Sequence, residues 1–320
     1  MTTMKAITFE VYGPPNVLAV KDQPIPNPKS GEVLIEVRAS AINPSDVKNV
    51  AGLFKAPLPR IPGRDYAGVV IGGDGKEGQE VWGSGPGFGV LRDGAHAEYV
   101  LAPVDSLSIK PSRLSMAEAA AVGVPYLAAW SALIDAGALQ KGETLLIVGA
   151  AGAVGRAAIQ IARWKGASII GADLHEAPGV DAFVDTKEKD LPKEVRNLTD
   201  NKGVDFAFDA VGGPMFEPAL KSLRLGGRQV AITSTRDPRV SFNLVDFYHN
   251  LSMLIGVDTM KLSGSRIAEI MDKLRQGFEE GHLKPPAVKT WPLERAAEAY
   301  QAADKGGSLA KNVLIPVVGG

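Results

Sequence analysis

The clearest chemistry in this sequence lies in Thr144-Leu-Leu-Ile-Val-Gly-Ala-Ala-Gly-Ala-Val-Gly155, followed by Arg156-Ala-Ala-Ile-Gln-Ile-Ala-Arg163. An apolar strand pattern runs into small residues and then into a helical pattern. Ala150, Gly152 and Gly155 stand at the spaced positions of a phosphate-binding turn, with Ala at the first. Small side chains let the backbone turn tightly and approach a pyrophosphate. The helix behind them offers free N–H groups and the positive end of its dipole. Ala151, Ala153 and Val154 complete the candidate cradle. A tight strand–helix turn without a ligand has the same local pattern, but Asp173 supplies the wider context. It closes the next strand pattern, Ile169–Asp173, about 20 residues on, where a dinucleotide site needs an acid. Its carboxylate would accept hydrogen bonds from the adenosine ribose hydroxyls of NADH and repel the 2′-phosphate of NADPH. The alternative is that Asp173 caps a loop.

The missing residue types narrow the chemistry further. There are no cysteines among the 320 residues, which removes disulfides, thiol nucleophiles and thiolate zinc sites. The four histidines, His96, His175, His249 and His282, have no ligand spacing and no His-Glu-x-x-His motif, so no metal is expected. No Tyr-x-x-x-Lys pair is present to relay a proton. Hydride chemistry here must then rest on positioning an acceptor that is already electrophilic, such as a quinone or an α,β-unsaturated carbonyl. The net charge of −1 gives no argument for nucleic acid or an anionic membrane. With no leader-like segment and no uncharged apolar run of about 18 residues, the expectation is a soluble cytoplasmic protein without a membrane partner.

Two regions position these residues. The first third reads as short strands between Pro- and Gly-rich turns: Lys5–Phe9, Val17–Lys21, Glu32–Ala41, a continuation over 63–83, and Asp93–Ala102. This suggests a barrel-like domain. Met116–Val122 reads as helix. Strands and helices then alternate: strands at Leu145–Val148, Ser168–Ala172, Asp205–Asp209, Arg228–Thr233 and Leu254–Val257, with helices after Gly152 and Pro214. That pattern predicts a parallel sheet covered on both faces. A long amphipathic helix is expected over Arg266–Glu280.

The sequence resembles the medium-chain dehydrogenase/reductase superfamily over nearly its whole length. The resemblance is carried by Met4-Lys-Ala-Ile with Tyr12-Gly-Pro-Pro, Asn43-Pro-Ser-Asp46 with Gly52-Leu-Phe54, Pro62-Gly-Arg-Asp-Tyr-Ala-Gly-Val-Val70, Gly94-Ala-His-Ala-Glu-Tyr-Val100, Asp209-Ala-Val-Gly-Gly213 and Leu225-Gly-Gly-Arg-Gln-Val230. Zinc alcohol dehydrogenases of the superfamily have Cys where Asn43 stands and His where Arg64 stands. This chain is therefore most similar to the zinc-free, zeta-crystallin-like quinone oxidoreductases.

The resemblance implies an α/β protein with a GroES-like β-barrel catalytic domain (1–122 and 262–320) and a Rossmann doubly wound parallel-sheet domain (123–261). It implies an active site in the cleft between them, a homodimer, and NADPH as cofactor, whereas Asp173 and the short segment after it lean toward NADH. The cofactor is NAD(P)H on either reading. Phe54 and Ala128 depart from the Tyr and Thr usual in the family.

Asn43 resembles a residue near nicotinamide and substrate, although it also reads as a helix N-cap before Pro44. Tyr126 is a candidate proton donor or a packed aromatic. Val211 and Gly212 end one sheet strand and Thr233 and Ser234 the next, where ligands bind open α/β sheets. Lys311 resembles the family's basic position near the pyrophosphate.

The leading expectation is a reductase of a small-molecule quinone or enone. One alternative is a zinc-free alcohol or carbonyl dehydrogenase. A second is a dinucleotide-binding protein with a structural or nucleic-acid-binding role and little turnover.

Overall fold

The computed structural model describes residues 2–235 and 237–317. Their contacts divide the chain into two units, Met1–Leu127 with Met260–Gly320, and Ala128–Thr259. The first division falls inside a helix. Ala-rich, Met116–Trp130 continues as one helix through Gly123 and Pro125 and runs into a short π-helix, Ser131–Ala136. The span Met116–Ala136 is apolar and long enough to cross a membrane by composition alone, but 78% of its window is buried inside the protein, as for a core helix.

In the first unit, Glu32–Ala41 is the central strand. Its alternation buries Val33, Ile35 and Val37. It pairs antiparallel with Asp65–Gly73, Tyr99–Pro103 and Lys311–Ile315, within a seven-stranded sheet. The end of the chain thus enters the same sheet as its first third. Two residue pairings bring distant parts of the sequence to one place. Val313 lies opposite Ala41, which brings position 311 across from 43, and Ala67 lies opposite Ala39, which brings Asp65 to the same end.

The expected strand over Asp93–Ala102 forms only from Tyr99 to Pro103. Its earlier part is pinned crosswise instead, with the amides of Gly94, Ala95 and His96 donating to the carbonyls of Ile61, Gly63 and Pro62. Glycine permits that approach, since a Cβ on Gly94 would lie 2.3 Å from the Gly63 carbonyl oxygen. Likewise, the expected Val17–Lys21 strand is a 3₁₀ turn, Pro15–Val17, followed by Ala19–Pro24.

The second unit is a six-stranded sheet in the order Ala182–Asp185, Ser168–Asp173, Thr144–Val148, Val204–Asp209, Leu223–Ala231, Met253–Gly256, with every pairing parallel. Numbered along the chain, this order is 3-2-1-4-5-6, that of a doubly wound dinucleotide-binding sheet. The winding reverses between Thr144–Val148 and Val204–Asp209, which makes the C-terminal ends of those two strands the switch point. Leu146, Val148, Ile170, Val184, Val204 and Ala207 form the core.

Candidate functional site

At the switch point, Thr144–Val148 leads into the small-residue turn and the helix Ala153–Trp164, capped by Gly152. The helix buries Gly155, Ala157, Ala158, Ile159, Ile161 and Ala162 and exposes Arg163. Gly149, not Ala150, supplies the left-handed residue of the turn, with φ +84°. Its amide and that of Ala150 donate back to the Ala172 carbonyl at 2.9 and 3.3 Å.

Gly155 is needed for packing, since a Cβ there would lie 2.1 Å from the Gly149 oxygen. Gly152 faces open space, and its Cβ would meet only that same oxygen, at 3.3 Å. The first amide bonded in register with the helix is that of Arg156, which donates to the Gly152 carbonyl at 2.9 Å. The amides of Ala153, Val154 and Gly155 therefore precede the helical ladder and are available to an anion.

Asp173 lies against this turn. Its carboxylate accepts from the Ala151 amide at 2.9 Å and from Leu174 and His175 at 2.6 and 3.4 Å. It is half-buried. The same carboxylate that would face a ribose thus also fixes the turn and caps its own loop. That loop is short because it folds back on the sheet: Ala177 is buried, and Asp181 accepts from the Ile169 amide at 2.8 Å.

The neighbouring strand ends in Asp209, to which the sequence alone assigns no role. Its Oδ1 accepts from the Val211 and Gly212 amides at 3.0 and 2.8 Å, while Oδ2 is buried without a partner. Burial pushes its pKa up, against the pull of those two bonds. Held this way, Gly212 takes φ +71° and packs on the next strand's extension. A Cβ there would lie 2.7 Å from the Thr233 oxygen and 2.9 Å from the Ser234 Cα. Ala151, Gly152, Ala153, Val154, Gly155, Asp173, Val211, Gly212, Thr233 and Ser234 therefore gather at one edge of one sheet.

Asn43 and Lys311 meet in the first unit. Asn43 is buried at the N-cap of the helix Pro44–Val50, and its amide N–H donates to Asp46 Oδ2 at 2.8 Å. The residue takes the cap position, and its side chain is tied to other side chains of the same unit. Its Nδ2 donates to Asp65 Oδ2 at 2.8 Å, and its Oδ1 accepts from Lys311 Nζ. Asp65 also accepts from the Val124 amide at 2.8 Å, and its Oδ1 is buried without a partner.

Burial raises the pKa of Asp65, opposed chiefly by the Lys311 ammonium. Burial also raises that of Asp46, opposed by the Asn43 amide bond and by Arg64. Burial lowers that of Lys311, opposed by Asp65 and Asp46. The family pattern puts Lys311 near the pyrophosphate; here its ammonium donates to Asn43 Oδ1, with the charges of Asp65 and Asp46 acting on it.

Tyr126 does not carry a free proton. Its hydroxyl donates to the Lys284 carbonyl at 2.6 Å and its ring packs on Phe278, which matches the packed-aromatic alternative. His96 is structural as well. Both ring nitrogens are engaged, by the Tyr300 hydroxyl at 2.8 Å and the Ala41 carbonyl at 3.3 Å, and burial lowers its pKa to about 4.

Residues 29–112 match the family described as alcohol dehydrogenase GroES-like domain, and residues 153–275 the one described as zinc-binding dehydrogenase. A human quinone oxidoreductase is 31% identical over 328 residues, covering 98% of both chains. The chain belongs to the medium-chain dehydrogenase/reductase superfamily, in its quinone oxidoreductase branch. A Schizosaccharomyces pombe zinc-type alcohol dehydrogenase-like protein is 36% identical over 289 residues, 88% of this chain and 87% of that one. A 2-methylene-furan-3-one reductase of Solanum lycopersicum is 32% identical over 343 residues, 98% of this chain and 79% of that one. Among solved structures, an NAD-dependent alcohol dehydrogenase superposes with a TM-score of 0.88 at 32% identity, covering 99% of this chain and 100% of that one.

The protein is an oxidoreductase of this superfamily with a dinucleotide-binding sheet, and that sheet implies NAD(P)H use. The turn fits the cofactor: Gly152 leaves open the space that a Cβ would enter, and three helix-start amides precede the ladder. A zinc ion does not fit the residues around Asn43. The chain has no thiol, two cations, Arg64 and Lys311, stand there, and among the described residues no group of three His, Asp or Glu could hold a metal.

Proposed function

We propose that the protein is a zinc-independent, NAD(P)H-dependent reductase of quinones or α,β-unsaturated carbonyls. The observation that carries this reading is the donor set around Asn43. It presents an amide, two cations and two buried acids, and no set of ligands among the described residues suited to holding a Lewis-acid metal. A saturated alkoxide would lack a stabilising metal there, whereas a quinone or enone is electrophilic without one.

Bound NAD(P)H supplies the hydride. The amides of Ala153, Val154 and Gly155 would hold the pyrophosphate, Gly152 would let it approach, the Ala151 amide keeps Asp173 in place, and Asp173 would accept from the adenosine ribose. Val211, Gly212, Thr233 and Ser234 present backbone toward the nicotinamide end. Asn43 orients the acceptor oxygen. With the Tyr126 hydroxyl committed to Lys284, the proton comes from water.

NADH is the preferred cofactor, because the Asp173 carboxylate, held by three backbone amides at the strand end, would repel a 2′-phosphate. The substrate is a small molecule, the working unit a cytoplasmic homodimer, and neither nucleic acid nor membrane takes part. The names of the alcohol dehydrogenase relatives favour a second reading, an alcohol or carbonyl dehydrogenase.

A panel of quinones, enones, ketones and alcohols, each with both cofactors, separates the two. Oxidation of NADH by quinones or enones alone supports the reductase. Faster turnover of alcohols or saturated ketones selects the second reading.

A further inference from the structure

Two buried side chains and the partly buried Lys311, from distant parts of the sequence, form one hydrogen-bonded chain. Lys311 Nζ donates to Asn43 Oδ1, and Asn43 Nδ2 donates to Asp65 Oδ2 at 2.8 Å. This arrangement decides which way the amide of Asn43 faces. A lysine ammonium has only donors, so the amide oxygen must meet it. An ionised carboxylate has only acceptors, so the amide nitrogen must meet that. Neither partner tolerates the flipped amide. Among the described residues, the second N–H of Nδ2 has no partner. The chain is also polarised in one direction: an ammonium on the amide oxygen draws electron density from the nitrogen and makes its remaining N–H a stronger donor.

The partners are themselves fixed. Lys311 sits opposite Asn43 because Val313 pairs with Ala41 across two antiparallel strands. Asp65 begins the strand on the other side of Glu32–Ala41. The Val124 amide donates to Asp65 at 2.8 Å, and the Ser40 hydroxyl donates to its backbone carbonyl at 2.6 Å. Glycine at 123 leaves room for the carboxyl group, since a Cβ there would lie 2.3 Å from the Asp65 Cγ. Asp46, on the backbone amide of Asn43, and Arg64 add one further charge of each sign. The two acids and two bases balance, so the cluster holds an oriented amide without a net buried charge.

We infer that Lys311 and Asp65 are positioning residues. They lock the Asn43 amide with its free N–H as the single donor offered to the carbonyl oxygen of the acceptor, where negative charge develops during hydride transfer. This rests on the reductase reading above. Asn43 is the group that touches the substrate; Lys311 and Asp65 act through it.

The test compares Lys311→Met, Lys311→Arg and Asn43→Ser. Serine keeps a good helix N-cap, and arginine keeps a cationic donor. Two readouts are taken on each folded variant: kcat and KM with a quinone or enone, and the affinity of the NAD⁺-loaded protein for a substituted phenolate that mimics the oxyanion. Loss of one preorganised oxyanion donor costs roughly 100-fold in kcat.

Asn43→Ser is expected to show a loss of that size, and Lys311→Met about tenfold or more. In both, phenolate binding should weaken in parallel while the KM for NADH stays within about twofold. Lys311→Arg is expected to recover to within about threefold of wild type. Wild-type kcat and phenolate affinity in folded Lys311→Met overturn the inference. If that variant does not fold, a folded Lys311→Arg decides: near-wild-type values support the inference, and a hundredfold loss overturns it. If the wild type reduces no quinone or enone, the reductase reading fails. The phenolate titration across the same variants then decides this inference by itself.

Discussion

The two glycines at the start of the helix Ala153–Trp164 should fail in different ways when replaced. At Gly155 a Cβ would lie 2.1 Å from the Gly149 oxygen and 2.8 and 2.9 Å from the Cα and C of Ala150, all backbone. Neither side can rotate away, so Gly155→Ala must push the helix off the turn. Overpacking of this kind costs about 1–3 kcal/mol, or roughly 3–10 °C in Tm for a domain of this size.

At Gly152 the backbone is ordinary, with φ −71°, and the only neighbour of a new Cβ is 3.3 Å away. Gly152→Val then costs about 1 kcal/mol through the weaker N-cap. Its two methyls, however, point into the space a pyrophosphate must enter. Dinucleotide affinity should fall about 100-fold or more, equivalent to about 2.7 kcal/mol. Thermal unfolding and calorimetric titration with NADH and NADPH read the two effects separately. If Gly152→Val bound cofactor as wild type does, the pyrophosphate would have to bind elsewhere. If Gly155→Ala kept the wild-type Tm, the tight packing of helix on turn would be refuted.

Asp173→Ser should raise the NADPH-to-NADH ratio of kcat/KM by about tenfold or more, because it removes a repulsive charge worth roughly 1–3 kcal/mol at a partly buried site. Both affinities should also drop somewhat, since the Ala151 amide loses its acceptor; an unchanged ratio would mean the carboxylate serves the turn alone. His96 gives a stability signature. Its folded pKa of about 4 lies below the ordinary 6.5, so on acidification the unfolded chain takes up the proton first. Stability is full above about pH 6.5 and lost by about pH 4, a difference of about 3 kcal/mol. Denaturant unfolding of wild type and His96→Gln across that range should show the wild type losing that much relative to the variant, and parallel curves would refute a buried neutral imidazole. Tyr126→Phe should leave kcat within about threefold, since the hydroxyl serves the Lys284 carbonyl; a loss of 100-fold would restore it as a proton donor.

The second unit is readable from the sequence because its order is local. Each strand is a short apolar run followed by a helical pattern, and parallel crossovers leave few alternatives. The phosphate turn and Asp173 can be read for the same reason, as spacing along one strand–helix–strand. Gly149 does not stand out in the sequence, because its positive φ compensates for an alanine at the first fingerprint position, and only backbone geometry shows that. Asp209 has no legible role because its work is done through its own neighbours' amides, which any loop acid could do. The cluster around Asn43 cannot be read as a unit. Asn43 and Lys311 are 268 residues apart, and what joins them is the antiparallel pairing of the last strand on Glu32–Ala41. Tyr126 fails as a donor for a similar reason, its partner lying 158 residues away on a backbone carbonyl.

The central claim is reduction of an activated acceptor without metal. The most direct test is steady-state oxidation of NADH by a quinone and by an enone, using protein dialysed against a chelator and assayed for zinc by elemental analysis. Full turnover by zinc-free protein, with no oxidation of saturated alcohols, is the expected result. Activity that disappears with the chelator and returns with added zinc would contradict it.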